Sequence, residues 1–153
     1  MKTILTPVDF SAATARVIEA TLELAKATEG KIVLLHVVQP PIVTSDYGLA
    51  MENVQEILAV SEKAAARQLS HLADNLKSDG AEARVVQING AAVSGILETA
   101  DRLKADYIVM GSHGHTALYD LLVGSTTHGV LKRATCPVLV VPPAKKKGAK
   151  KRR

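Results

Sequence analysis

The residues best suited to chemistry lie in the last third of the chain, where Gly111-x2-Gly114-x9-Gly124-Ser125 runs into Thr126 and Thr127. Glycines permit positive φ and let backbone N–H groups come close to an anion. A helix opening at Ser125 would add unpaired N–H donors and a positive partial charge, and the hydroxyls of Ser125, Thr126 and Thr127 could donate to phosphate oxygens. Taken singly, Gly111 and Gly114 are explained by shaping a strand exit and Ser125 by capping a helix. The full spacing, set at the ligand edge of a parallel sheet, favours a polyphosphate guest.

Other candidate side chains are fewer. Asp9 follows an apolar run and reads either as a turn former or as a ligand-binding carboxylate. His113 reads either as a phosphate contact or as a solvent-exposed loop residue. His36 sits within Ile32-Val33-Leu34-Leu35-His36-Val37-Val38 and reads as a satisfied core histidine. His71 reads as inert on a surface helix, and neither His115 nor His128 has an identifiable partner. Cys136, the single cysteine, precedes a proline with no base or second thiol near it in sequence, and is expected in the core. No general base or activated nucleophile stands out, so the sequence favours a binder over an enzyme.

Familiar phosphate loops are absent. Gly90 to Gly95 continues Ile96-Leu97 without the lysine of a P-loop, and the turn Val8-Asp9-Phe10-Ser11 has none of the glycines of a dinucleotide fingerprint. His113-Gly114-His115 lacks the spacing of a nucleotidyltransferase motif.

The elements that must position these residues alternate. Ile4 to Val8 reads as a strand, followed by a helix marked by Val17, Ile18, Leu22, Leu24 and Ala25 and stopped at Gly30. Ile32 to Val38 has the continuous apolar run of a strand buried on both faces. After Pro40-Pro41 and a loop, Met51, Val54, Ile57, Leu58, Ala65, Leu69, Leu72 and Leu76 mark one side of a long helix closed by Gly80. Strands at Ala83 to Ile88, Asp106 to Met110 and Pro137 to Val141 alternate with helices carrying Val93, Ile96, Leu97, Ala100 and Leu103, and then Ser125 to Ala134. The order βαβαβαβαβ predicts an α/β fold: one open, five-stranded, mostly parallel sheet with helices on both faces. In such sheets ligands sit beyond the carboxyl ends of the strands, where strand order reverses. Pro7-Val8-Asp9, Val37-Val38 and Met110-Gly111-Ser112-His113-Gly114 qualify.

Composition sets the frame. A chain of 153 residues, 47% hydrophobic and 22% charged, suits one domain with a real core. Seven of the 19 basic residues fall in Lys145 to Arg153, which leaves residues 1–144 with 12 basic against 15 acidic side chains. The expected division is a folded domain over 1–144 and a disordered basic tail over 145–153, a solvated segment or a contact for nucleic acid or an anionic surface. The start of the chain lacks a signal-peptide apolar stretch and no run approaches a membrane span, so the expected location is cytoplasmic.

Gly111-Ser112-His113-Gly114-His115-Thr116 through Leu121-Leu122-Val123-Gly124-Ser125 resembles the nucleotide motif of the ATP-binding universal stress proteins. Ile4 to Ser11 is similar to that family's first strand and turn, Leu35-His36-Val37 to its second strand, and Cys136 to Val141 to its closing strand; only 145–153 fall outside. The resemblance implies a Rossmann-like sheet of the adenine nucleotide α-hydrolase kind, with strand order 3-2-1-4-5. It implies adenine framed by Pro7, Val8 and Val37 through backbone contacts, with Asp9 near the sugar and phosphates. Met110, Gly111, His113 and Gly114 would hold the ligand from one side, and Gly124, Ser125, Thr126 and Thr127 would wrap the phosphates from the other. ATP with Mg²⁺ or Mn²⁺ is the implied ligand, the ion coming with the phosphates near Asp9. A homodimer through the strand Val138 to Val141 is also implied. The resulting expectation is a nucleotide-dependent regulatory module, set against a slow ATPase or phosphotransferase and a scaffold that works through its basic tail.

Overall fold

Side chains that alternate along the central strands dictate the layers. In the computed structural model, which describes residues 1–40, 50–113 and 123–144, Ile4, Ile32, Leu34 and Val109 point to one face of a sheet. Leu5, Val33, Leu35 and Ile108 point to the other. Both sets are fully buried, each such side chain contributing about 1.5–3 kcal/mol. A strand sealed on both faces must have helices on both, and it does.

The elements run β1 (Thr3–Pro7), α1 (Thr14–Thr28), β2 (Lys31–Val38), α2 (Ala50–Ser78), β3 (Ala83–Asn89), α3 (Ala92–Leu103), β4 (Tyr107–Gly111), α4 (Ser125–Arg133) and β5 (Val138–Val141). All strand pairs are parallel and the order is β3-β2-β1-β4-β5. Helices α1 and α2 cover the Ile4 face through Val17, Ala25, Leu69, Ala73 and Leu76. Helices α3 and α4 cover the Leu5 face through Ile96, Ala100 and Val130. Strand order reverses between β1 and β4, which fixes where a crevice can open. No described helix is long and apolar enough to cross a membrane.

Two expectations need correction. Helix α1 turns left-handed at Glu29 (φ 51°), one residue before Gly30. Gly30 is needed for closeness instead, since a Cβ there would lie 2.9 Å from Thr28 Oγ1 and 3.0 Å from Ile4 Cδ1. Ile57 was expected on the buried side of α2, yet it is 56% exposed and Val60 67%, and full burial starts at Ala65. The reason is length. At about 1.5 Å per residue a helix this long outruns the strands it covers, and Asn89, the last residue of β3, already meets Glu62, its Nδ2 donating to Glu62 Oε1 at 2.9 Å. The turns of α2 ahead of Glu62 therefore lie past the carboxyl end of β3.

Candidate functional site

The crevice forms where β1 and β4 part. As β1 ends, Val8 N–H still donates to Leu35 C=O at 2.8 Å, but Val8 C=O accepts from His36 Nδ1 at 2.7 Å. Asp9 Oδ1 accepts Ser11 N–H at 2.9 Å, so the turn-forming role of Asp9 is real and keeps its carboxylate at the crevice edge. Between them Phe10 takes φ 60°, a conformation costly for a residue with a Cβ, and its ring lies 4.6 Å from the His36 ring. The chain then enters α1, where Thr14 N–H donates to Ser11 C=O at 3.1 Å.

On the other side, Ser112 N–H donates to Val141 C=O at 2.9 Å, and Gly124 N–H returns to Ser112 C=O at 2.6 Å. Thr127, 3% exposed, donates its hydroxyl to Gly111 C=O at 2.7 Å. The first of these bonds ties the end of β4 to β5, and the other two fasten the start of α4 to the end of β4. The first main-chain bond of α4 is His128 N–H to Gly124 C=O at 2.9 Å, so among the described residues the N–H groups of Ser125, Thr126 and Thr127 precede the helical ladder, and all three residues line the crevice. Ser112 Oγ lies 3.1 Å from His113 Nδ1.

The resulting cavity, about 240 Å³, is lined by Pro7, Val8, Asp9, Val37, Met110, Gly111, His113, Gly124, Ser125, Thr126 and Thr127. Every expected site residue that the structure describes is among these, while Gly114, His115 and Lys145 to Arg153 lie outside the described residues. The glycines work differently from the expectation. Neither Gly111 nor Gly124 adopts positive φ. What matters is room: a Cβ on Gly111 would sit 3.3 Å from His113 C=O and 3.5 Å from Val17 Cγ2. The Thr127 hydroxyl holds the scaffold, so of its two donors only the N–H is left to the crevice among the described residues.

Residues missed by sequence reading also line the cavity: His36, Ser11, Thr14, Gln39 and Ile96. His36 is not a core residue but half-buried in the crevice lining; its place two residues before the carboxyl end of β2 at Val38 was the available signal. Cys136 packs half-buried against the Leu5-face core, where burial, with Asp101 and Asp106 adding to it, pushes the thiol up and keeps it protonated. Among the described residues no group of three His, Cys, Asp or Glu is placed to hold a metal ion.

A parallel 3-2-1-4-5 sheet with a polar crevice at its switch point defines an open α/β ligand-binding fold. The chain belongs to the universal stress protein family, whose model matches residues 1–142. It is 31% identical over 146 residues to the universal stress protein MJ0531 of Methanocaldococcus jannaschii, covering 95% of this chain and 84% of that protein. The solved structure of MJ0577, from the same organism, superposes with a TM-score of 0.81 at 27% identity over 95% of this chain and 98% of that one. Among more distant structures of the same fold are a universal stress protein in complex with cAMP (TM-score 0.65, 24% identity, 94% and 98% covered) and one from Archaeoglobus fulgidus in complex with dAMP (TM-score 0.63, 22% identity, 92% and 97% covered).

Proposed function

We propose that this chain is an adenine-nucleotide-binding regulatory module, taking ATP with a divalent cation and acting as a homodimer. The observation that carries the reading is the convergence, in one crevice, of an apolar slot (Pro7, Val8, Val37, Met110) with the open N–H groups at the start of α4. The slot suits a flat base and the helix start suits phosphates. Relatives solved with cAMP and dAMP support a nucleotide as guest.

Charge supports the reading of a cation. The described lining contains no lysine or arginine, and its one carboxylate, Asp9, adds negative charge. Backbone dipoles alone would leave a triphosphate poorly neutralised. With no group of three metal-ligating side chains among the described residues to hold it, Mg²⁺ or Mn²⁺ would be held chiefly by the phosphates, with Asp9 the lining carboxylate that could join them. The ion would supply charge neutralisation at the phosphate chain.

The dimer reading rests on β5. It ends the sheet order and bonds only β4 among the described residues, and Leu139 is 43% exposed upon it. An apolar edge strand is open to pairing with a second copy. The division into a domain over 1–144 and a basic tail over 145–153, and a cytoplasmic location, belong to the same proposal.

The test uses one preparation. Denaturing freshly purified protein and chromatographing the supernatant is expected to release adenine nucleotide, and Mg-ATP is expected to titrate the apo form. Gly124→Val should fold, because a Cβ there meets nothing closer than Ser112 C=O at 3.5 Å, yet crowd the phosphate donors and abolish binding. No nucleotide and no titration signal would overturn the reading; steady phosphate release by the pure protein would replace the binder with an ATPase.

A further inference from the structure

The ladder between β1 and β2 stops in an unusual way. In a parallel pair each residue's N–H and C=O point to the same side, and successive residues alternate. Leu35 C=O accepts Val8 N–H on the β1 side, and Val38 C=O accepts Gly90 N–H at 3.0 Å on the β3 side. Val37, in phase with Leu35, therefore turns its N–H and C=O toward β1. With Pro7 paired to Leu35, the next rung would run from Val37 N–H to Val8 C=O. That bond does not form among the described residues. Val8 C=O instead accepts from His36 Nδ1 at 2.7 Å.

A carbonyl only accepts, so His36 must carry its proton on Nδ1. The ring is held from the other side by Phe10 at 4.6 Å, and Phe10 is in turn fixed at φ 60° in the turn leaving β1. The imidazole thus satisfies the carbonyl that Val37 would otherwise take, and the backbone edge of Val37, a crevice-lining residue, has no backbone partner on the β1 side among the described residues and is left for whatever enters the apolar slot.

We propose that His36 is a positioning residue for ligand recognition: by capping Val8 C=O it ends the β1–β2 ladder early and reserves the Val37 amide edge for the base of the bound nucleotide. The role of the base rests on the function proposed above, whereas the cap does not.

Two variants separate the ring from its donor. His36→Phe keeps a ring against Phe10 and removes the hydrogen bond; His36→Asn loses the ring but keeps an N–H donor near the Nδ1 position. Amide exchange followed by NMR in the apo full-length protein should show Val37 exchanging fast in wild type and His36→Asn. In His36→Phe it should slow as the missing rung closes. Mg-ATP affinity should fall about tenfold or more in His36→Phe and stay within about threefold of wild type in His36→Asn. A Val37 amide already protected in wild type, no slowing in His36→Phe, or unchanged affinity in that variant would overturn the proposal. If wild type binds no adenine nucleotide, the functional reading fails, while the exchange pattern of Val37 still upholds or overturns the cap.

Discussion

At the scale of single residues, hydroxyl and carbonyl groups near the crevice are divided between holding the scaffold and meeting a ligand. Thr127 holds: its hydroxyl is buried and its proton goes to Gly111 C=O. Thr127→Val, of nearly the same shape, should lose about 1–3 kcal/mol in urea denaturation because it strands that carbonyl, and Thr127→Ser should recover most of it. The sequence showed that a threonine at this place suits phosphate binding, but not which of its two donors is available. That depended on Gly111 C=O, 16 positions away, arriving within 2.7 Å. His36 was misread for a related reason. An apolar run conceals that its last turnings lie at the sheet's carboxyl edge, where a side chain in phase with the core meets the crevice instead.

At the scale of elements, close approaches between helices and strand ties explain what must not change. Helix α4 crosses α3 so closely at Gly129 that a Cβ would lie 2.8 Å from Val93 Cγ2. Valine has little rotameric freedom in a helix, so Gly129→Leu should destabilise by about 1–3 kcal/mol, read from the shift in thermal midpoint. At the opposite end of the sheet, Thr3 N–H donates to Asp106 Oδ2 at 2.7 Å, and Lys2 Nζ stands 3.6 Å from Asp106 Oδ1. The Thr3 hydrogen bond, with Lys2 assisting, holds the Asp106 carboxyl below its ordinary value. A carboxyl lowered in the folded state contributes stability above its unfolded value of 3.8, and loses that contribution as pH falls through the lower folded one. The stability gap between wild type and Asp106→Ala should therefore be full at neutral pH and close as pH drops below about 4, measured by denaturation at each pH.

For the whole molecule, the sheet leaves β3 and β5 as its two edges. β5 is the shorter and more apolar, four residues with Leu139 outward. Under the dimer proposal, Leu139→Lys should sediment as a folded monomer at concentrations where wild type is a dimer, because a lysine opposes edge pairing. Equal sedimentation of the two would move the interface elsewhere.

The sequence by itself determined the class and sequence of elements, the parallel sheet with helices on both faces, and the segments that meet at its carboxyl edge. Those follow from hydrophobic period, from β-branched runs and from the need to bury both faces of a strand such as Ile32 to Val38, which are local or nearly local constraints. Only the tertiary structure decided that neither Gly111 nor Gly124 adopts positive φ and that Gly111 serves closeness instead, that the first turns of α2 overrun the sheet with Ile57 exposed, and that His36 ends the β1–β2 ladder. Each depends on atoms brought together from distant segments, Val8 with His36 or Gly111 with Thr127, and no periodicity along the chain encodes a distance between them.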